Sequence, residues 1–233
     1  FLHDLVSSQL DMDRLDYLVR DSYFTGVVEG RVSVDRIIKT LAVRNNQIGV
    51  EVKGIYSVEK FLVARRLMYW QVYLHRAVLS AEYMIVHILK RARELMYRGV
   101  KVWSNDTLDY FFRDNSFVQV EISEETIRKY TSLDDEDILY AIKQWRRSGD
   151  PVLEYLCTNI LQRRLLKVEM QMEPFPNTVE TQKLRVVMQK MGLDEQQAKY
   201  LVFRGEVENH AYMQNSIESI NVFHKNLYIL LSR

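Results

Sequence analysis

Carboxylate, guanidinium and phenol side chains alternate along residues 9–26, which read QLDMDRLDYLVRDSYFTG. If residues 13–21 form an α-helix, with a turn of about 100° per residue, polar side chains cover one face and apolar ones the other. The polar face then holds Asp13, Arg14, Asp16, Tyr17, Arg20 and Asp21. Such groups can bind a metal ion, phosphate and sugar hydroxyls. The same pattern is also typical of a solvated helix face, on which Asp16 and Arg20 form a structural ion pair.

A second group of such residues lies in residues 56–76, which read YSVEKFLVARRLMYWQVYLHR. In one continuous helix, Arg65, Tyr69, Tyr73 and Arg76 would share a single quadrant. Arginine offers a planar set of donors that fits phosphate oxygens, and tyrosine can pack against a sugar while donating a hydrogen bond. An aromatic-rich core helix whose arginines extend to solvent would give the same pattern, so both interpretations stay open here.

The two strings resemble motifs of the HD-domain phosphohydrolases, most closely those of the deoxynucleoside triphosphate triphosphohydrolase branch. The resemblance lies in D-x-D-R-x-D-Y-L-x-R-D-S-Y-x-T-G, which starts at Asp11, and in A-R-x-x-M-Y-x-x-V-Y-x-H, which starts at Ala64. It implies that Asp13 is a catalytic residue that completes a metal site of two His and two Asp. The cofactor implied is a divalent metal ion, and one carboxylate is compatible with Mg, Mn, Fe or Zn.

The resemblance also implies roles for five substrate-binding residues. Arg14 and Arg65 match positions that hold the triphosphate, and Arg14 stands where the eukaryotic SAM-and-HD-domain enzyme has Lys. Tyr17 and Asp21 match positions that contact the deoxyribose 3′-hydroxyl, and Tyr73 matches a position that lines the nucleoside pocket. His75 aligns with a family histidine near the pocket, and we expect it to be structural.

The metal ligands that the family carries upstream of this motif are missing from the chain before Asp13. His3-Asp4 is an HD dipeptide by letters only, because the family doublet lies many tens of residues earlier, on another helix. We therefore expect the chain to be the C-terminal part of a longer polypeptide.

The expected activity is metal-dependent hydrolysis of a deoxynucleoside triphosphate, such as dGTP, to deoxynucleoside and triphosphate. One alternative is an HD phosphohydrolase that acts on another phosphorylated metabolite. The other is a helical interaction or regulatory module without catalysis, in which the polar face of residues 13–21 is merely solvated.

Composition excludes several classes of function. The 233 residues are 47% hydrophobic and carry a net charge of +1, so no overall field would attract nucleic acid or a membrane. No apolar run of about 18 residues indicates a membrane span, and a single Cys157 fits a cytoplasmic protein. Neither a phosphate-binding glycine loop nor a nucleophile elbow occurs.

The remaining pattern predicts a mostly helical, HD-domain-like body with a small β-hairpin and a smaller α+β C-terminal lobe. Residues 41–52 suggest the hairpin, with its turn at Asn45-Asn46, and residues 57–98 suggest one long helix or two nearly continuous ones. Ser123 should cap a helix. Further helices are expected at 33–41, 107–113, 134–147, 151–170 and 178–191, and strands at 200–204, 217–224 and 227–231.

Prolines 174 and 176 suggest a boundary between a domain at 1–172 and a lobe at 178–233. Residues 192–212 resemble the C-terminal lobe of bacterial family members. In such relatives this lobe helps to build oligomer interfaces, which implies a homo-oligomer.

Overall fold

The computed structural model describes residues 1–113, 122–207 and 220–224. Within these ranges the protein is mostly helical with a small three-stranded sheet, which confirms the predicted fold class. The chain divides into two compact units, which we call the first unit (Phe1–His75 and Glu206–Arg233) and the second unit (Arg76–Gly205). The predicted domain boundary at 172–178 falls inside the second unit and stays a prediction.

The first unit is built around two helices of equal length. Its helices are α1 (Leu2–Val6), α2 (Met12–Thr25), α3 (Val34–Ile38) and α4 (Ile55–Met68), which continues as a π-helix (Tyr69–Tyr73). Helix α2 confirms the predicted opening helix and ends at Gly26, whose φ of 75° suits glycine. Helix α3 is shorter than predicted, and Ser33 makes no capping hydrogen bond through its side chain.

The predicted hairpin is present in the first unit as β1 (Leu41–Arg44) and β2 (Gln47–Glu51). Asn45 and Asn46 form its turn, both at positive φ, which asparagine tolerates better than most residues. Strand β3 (Asn221–Phe223) pairs with β2 in parallel and lies within the predicted strand 217–224. Gly49 permits this pairing, since a Cβ there would lie 2.8 Å from the Asn221 carbonyl oxygen.

The core of the first unit fixes α2 against its neighbours. Leu15 and Leu18 of α2 are buried, and Phe61 and Met68 of α4 pack in the same cluster. Val50 adds a contact from the sheet. The apolar side of α2 thus faces the core as predicted, although Val19 is 37% exposed.

The second unit consists of seven helices within the described residues. They are α5 (Arg76–Tyr97), α6 (Asp106–Arg113), α7 (Glu124–Ser132), α8 (Asp135–Trp145), α9 (Pro151–Leu161), α10 (Asn177–Met191) and α11 (Glu195–Ala198). Ser123 caps α7 as predicted, by accepting a hydrogen bond from the Thr126 amide. Its core includes Ile88, Trp145 and Leu156.

The predicted run 57–98 forms two α-helices, which is one of the two arrangements expected, because the π-helix and the residues after it interrupt α-helical geometry. Two other predictions about helix and strand extents were wrong. Helix α9 ends at Leu161 rather than near 170, and Arg163 then takes a positive φ of 56°. Residues 200–204 are not a strand, because Asp194 and Gln197 form a capping box that starts α11 and the chain then turns. The predicted strand 227–231 lies outside the described residues.

No helix within the described residues is both long enough and apolar enough to cross a membrane.

Candidate active site

Asp11 organises the start of α2 and holds Arg14. Its side chain caps the helix, with Oδ1 accepting a hydrogen bond from the Arg14 amide at 2.7 Å. Its Oδ2 pairs with the Arg14 guanidinium, which also donates to the Ser8 carbonyl. Because Asp11 is 2% exposed, it fixes both the helix terminus and the orientation of the arginine.

Asp13 lies one residue into the same first turn, with its side chain exposed. A carboxylate at this position can bind a cation from solvent without breaking an internal contact, and such a ligand suits Mg²⁺, Mn²⁺ or Zn²⁺. Across residues 1–113, 122–207 and 220–224, no group of three or more His, Cys, Asp or Glu side chains could hold a metal ion. The described residues therefore offer one candidate ligand and do not form a complete metal site by themselves.

Arg65 of α4 is buried, with only 3% of its surface exposed. Its Nη1 donates to Oε1 of Gln9 at 2.9 Å, and Gln9 itself is 4% exposed. The guanidinium also lies 5.8 Å from the centre of the Tyr69 ring, within the range of a cation–π contact. Since the Gln9 amide is neutral, this hydrogen bond orients Arg65 without cancelling its charge.

The π-helix after α4 places three tyrosine rings together. Tyr73 contacts Tyr69 edge to face at 5.3 Å and Tyr17 of α2 at 5.9 Å. The Tyr73 hydroxyl donates to Oδ2 of Asp21 at 2.7 Å, which joins the π-helix to α2. Single π-helical turns within α-helices are frequent at functional sites. We call Arg14, Tyr17, Asp21, Arg65, Tyr69 and Tyr73 the arginine–tyrosine cluster.

Both Tyr17 and Tyr73 are neutral hydrogen-bond donors at physiological pH. Burial raises the pKa of Tyr17, and the nearby Arg65 charge offsets part of that increase. Burial also raises the pKa of Tyr73, and its hydrogen bond to Asp21 raises it further. Phenols that keep their protons can donate to a hydroxyl or phosphate oxygen, whereas phenolates would repel an anionic ligand.

Five of the six predicted site residues, all except Asp13, lie close together in the first unit. Asp21 and Tyr73 share a hydrogen bond, Tyr17 contacts Tyr73, and the charges of Arg14 and Arg65 both act on Tyr17. The predicted Asp16–Arg20 ion pair is also present, at 3.1 Å on the helix surface. The functional roles of these residues, including Asp13, stay predictions.

Two residues of this region received no role from the sequence. Gln9 and Asp11 precede α2 and hold Arg65 and Arg14 respectively. An Asp directly before an amphipathic helix is a capping signal, so Asp11 could have been identified. Nothing in the local pattern indicates that Gln9 meets a residue 56 positions away. The quadrant predicted for Arg65, Tyr69, Tyr73 and Arg76 assumed one continuous helix, whereas the π-helix ends at Tyr73 and a separate helix begins at Arg76. The position of Arg76 relative to the other three stays a prediction.

Residues 32–100 match the family model described as the HD associated region. This match includes α4 and the π-helix, and therefore Arg65, Tyr69 and Tyr73, whereas Asp13 lies before it. The crystal structure of a phosphohydrolase from Bacteroides thetaiotaomicron VPI-5482 is similar over 97% of this chain and 56% of that one, with a TM-score of 0.88 and 40% identity. The part of the chain that resembles the HD associated region is thus the part that contributes α4 to the cluster.

Two curated relatives match smaller parts of the chain. The Bacillus subtilis protein YwfO is 36% identical over 163 residues, which is 70% of this chain and 36% of YwfO. A Dictyostelium discoideum protein named deoxynucleoside triphosphate triphosphohydrolase SAMHD1 homolog is 30% identical over 102 residues, or 41% of this chain and 19% of that protein. The chain therefore spans about a third of YwfO and little more than half of the Bacteroides structure.

Proposed function

We propose that this chain forms part of an HD-type phosphohydrolase that splits a deoxynucleoside triphosphate into deoxynucleoside and triphosphate. The observation that carries the proposal is the arginine–tyrosine cluster, in which two arginines and three tyrosines from α2, α4 and the π-helix converge. The match of residues 32–100 to the HD associated region and the likeness to the Bacteroides phosphohydrolase support the general class. The Dictyostelium relative supports the finer choice of substrate.

A triphosphate carries several negative charges, so its hydrolysis needs fixed positive charge around the phosphate oxygens. Arg65 can provide that charge with little reorganisation, because the neutral Gln9 amide already orients it. Arg14 is held in place by its ion pair with Asp11, which offsets part of its charge. Each guanidinium has five N–H donors in one plane, an arrangement that fits phosphate oxygens. The two arginines would bind the leaving triphosphate more tightly as its charge develops.

The tyrosines and Asp21 suit the uncharged part of the substrate. Tyr17 and Tyr73 offer ring faces for packing against a sugar, and their protonated hydroxyls can donate hydrogen bonds. Asp21 already accepts from Tyr73, and its carboxylate can also accept from a 3′-hydroxyl. This arrangement would bind an uncharged deoxyribose beside Tyr17 better than it would bind a charged group there.

A divalent metal ion would supply a Lewis acid and an activated water in such a reaction. Asp13 could hold it as one ligand, and the other ligands would have to come from outside the described residues. We also propose a homo-oligomer, because residues 192–212 resemble the C-terminal lobe that helps to build oligomer interfaces in bacterial family members. The alternative of another phosphorylated metabolite uses the same arginines and Asp13 but makes no use of the sugar contacts.

The test is a product analysis with the full-length protein and dGTP in the presence of Mn²⁺ or Mg²⁺. We expect equal amounts of deoxyguanosine and triphosphate, separated by ion-exchange chromatography. Asp13→Asn should lower kcat by about 100-fold or more, since loss of an outer partner of a metal ligand alone typically costs 10- to 100-fold. Tyr17→Phe should lower kcat/KM by roughly 3- to 10-fold, the value of one hydrogen bond to an uncharged group.

Asp16→Asn provides the matched control, because Asp16 lies on the same helix in an exposed ion pair. It should change kcat/KM by less than about twofold. Release of orthophosphate alone, or of no product, from wild-type protein would contradict the proposal. If Asp13→Asn abolishes activity on another phosphorylated substrate while Tyr17→Phe leaves it unchanged, the alternative substrate class is supported instead.

A further inference from the structure

The second unit contains a cavity of about 380 Å³ that is lined entirely by two short segments. Lys101, Val102 and Trp103 form one wall, and residues 143–148 form the other. This volume lies within the range of small-molecule sites, roughly 300–1,000 Å³. The cavity belongs to the second unit, whereas every residue of the arginine–tyrosine cluster belongs to the first.

Four of the nine lining residues are cations and none is an acid. The cations are Lys101, Lys143, Arg146 and Arg147. In the part of the chain that the structure describes, eleven ion pairs involve a lysine or arginine, and none of these four cations takes part in them. Four positive charges around one cavity repel one another, and a bound anion would relieve that repulsion.

The framework behind these cations is rigid. Trp145 is 1% exposed, and its Nε1 donates to the Trp103 carbonyl oxygen at 2.7 Å, which ties the first wall to the end of α8. The Arg147 amide donates to the Gln144 carbonyl at 3.2 Å, and the Ser148 amide donates to the Trp145 carbonyl at the same distance. The backbone therefore presents the four side chains from fixed positions, so a ligand need not order the wall.

Trp103 adds a flat apolar surface to the cavity. Its indole is 36% exposed and contacts Tyr140 edge to face, with ring centres 5.0 Å apart. A partly exposed indole beside cations can stack on an aromatic base while the cations bind phosphate.

Interaction with the dipole of α8 accounts for only some of the four cations at the cavity. Lys143 lies in the last turn of α8, where a cation is favourable. Arg146 and Arg147 lie beyond the last helical residue, and Lys101 comes from a different segment, before α6. The dipole effect decays within the last turn, so it does not account for all four of these exposed cations at one cavity.

We propose that this cavity binds a small polyphosphate anion, at a site separate from the proposed active site. Lys101, Lys143, Arg146 and Arg147 bind the phosphate oxygens, and Trp103 contacts whatever group carries the phosphates. Inorganic triphosphate and a nucleoside triphosphate share this chemistry, and Trp103 is the residue that distinguishes them.

Tryptophan fluorescence can report this site without interference from the first unit. The chain has three tryptophans, and Trp70→Phe leaves Trp103 and Trp145, both of which line the cavity. Titration of this variant of the 233-residue chain with inorganic triphosphate, and separately with dGTP in the absence of divalent metal, should give saturable quenching that weakens with added salt. Adding Lys143→Gln and Arg147→Gln should weaken binding by about tenfold or more, since charge-assisted hydrogen bonds are lost.

The matched control adds Arg185→Gln and Lys190→Gln, which remove the same two charges from exposed positions on α10. This control should leave the affinity within about twofold. Trp103→Leu should weaken dGTP binding several-fold more than binding of inorganic triphosphate if the carrier group stacks, whereas equal affinities identify the phosphate chain as the ligand. Absence of saturable quenching, or equal weakening by the control pair, would overturn the proposal.

Discussion

Two buried arginines, Arg65 in the first unit and Arg91 in the second, show how differently the same side chain can be used. Each is 3% exposed and each lies on a long helix. Arg91 donates to both oxygens of Asp150, at 3.1 and 2.6 Å, and to Glu94 at 2.8 Å. Arg65 donates to the neutral amide of Gln9 and lies beside the Tyr69 ring.

Two carboxylates, those of Asp150 and Glu94, pair with Arg91 and neutralise its charge. Burial alone would raise the pKa of Asp150 and of Glu94. Hydrogen bonds outweigh this effect and hold both pKa values below their ordinary range. Asp150 accepts from Arg91, and Glu94 accepts from Tyr200 and Arg91. Asp150 also caps α9 by accepting from the Leu153 amide at 2.8 Å. This network links three segments of the second unit and leaves no role for a ligand.

The contrast teaches that burial of an arginine does not by itself indicate function. What matters is the chemistry of its partner, because a carboxylate neutralises the guanidinium whereas an amide or an aromatic ring orients it and preserves its charge. The proposed function assigns Arg65 to an anionic ligand, whereas the carboxylates around Arg91 fit a residue that holds helices together. Three substitutions test that distinction.

Asp150→Ala should have the largest effect on stability. It leaves the buried Arg91 without its main partner, which typically costs about 3–5 kcal/mol, and it also removes the cap of α9. The free energy of unfolding, measured by urea denaturation at pH 7, should fall by that amount.

Asp109→Ala is the control for the Asp150 substitution, since Asp109 pairs with Arg113 on the surface and both side chains are partly exposed. Its effect should stay below about 1 kcal/mol. Similar losses for the two variants would show that the Arg91 network contributes no more than a surface pair, and the comparison with Arg65 would lose its basis.

Arg65→Met should affect stability less and activity more. The Gln9 oxygen loses one donor, so the free energy of unfolding should fall by about 1–3 kcal/mol. Addition of Gln9→Met should recover part of this loss, since two apolar side chains then replace the polar pair. The double variant should still lose about 100-fold or more in kcat/KM with dGTP, because the phosphate contact is absent.

A loss of stability from Arg65→Met as large as that from Asp150→Ala would place Arg65 with Arg91 as a structural residue. Recovery of activity together with stability in the double variant would also contradict a role in phosphate binding. The measurement therefore needs both the urea denaturation curve and the rate of triphosphate release for each variant.

Local chemistry explains which features the sequence could predict. Helix α2, the hairpin turn at Asn45-Asn46 and the cap at Ser123 follow from side-chain periodicity and turn or capping residues within a few positions. The grouping of Arg65 with Tyr69 and Tyr73 needed only their spacing along one helix.

Contacts between distant segments were not predictable in the same way. The Gln9–Arg65 bond joins residues 56 positions apart, and the Arg91–Asp150 pair joins residues 59 positions apart. The π-helix depends on packing that no local pattern encodes, which is why one continuous helix from Arg65 to Arg76 was a wrong assumption. Residues 200–204 contain apolar residues in a strand-like order, but Leu201 packs into a helical core.

Substitution of His87 should have the smallest effect on the free energy of unfolding. Its pH dependence distinguishes the contribution of His87 from that of the Arg91 network on the same helix. The His87 ring stacks on Phe203 at 3.9 Å and meets the edge of Tyr200, and burial, with a smaller effect of Lys90, lowers its pKa to about 4. The unfolded chain, with a histidine pKa near 6.5, binds this proton more readily, so stability is complete above pH 6.5 and falls as the pH drops toward 4.

His87→Phe keeps a flat ring on Phe203 and removes the titration. The loss of unfolding free energy between pH 7 and 5 should therefore shrink by about 1 kcal/mol in urea denaturation curves.

The Arg91 network loses stability at lower pH, because Asp150 and Glu94 have depressed pKa values and their contribution falls only below their ordinary values of 3.8 and 4.5. An unchanged profile in His87→Phe would mean that the folded protein protonates His87 as easily as the unfolded chain does, and the acid sensitivity above pH 5 would then have another origin.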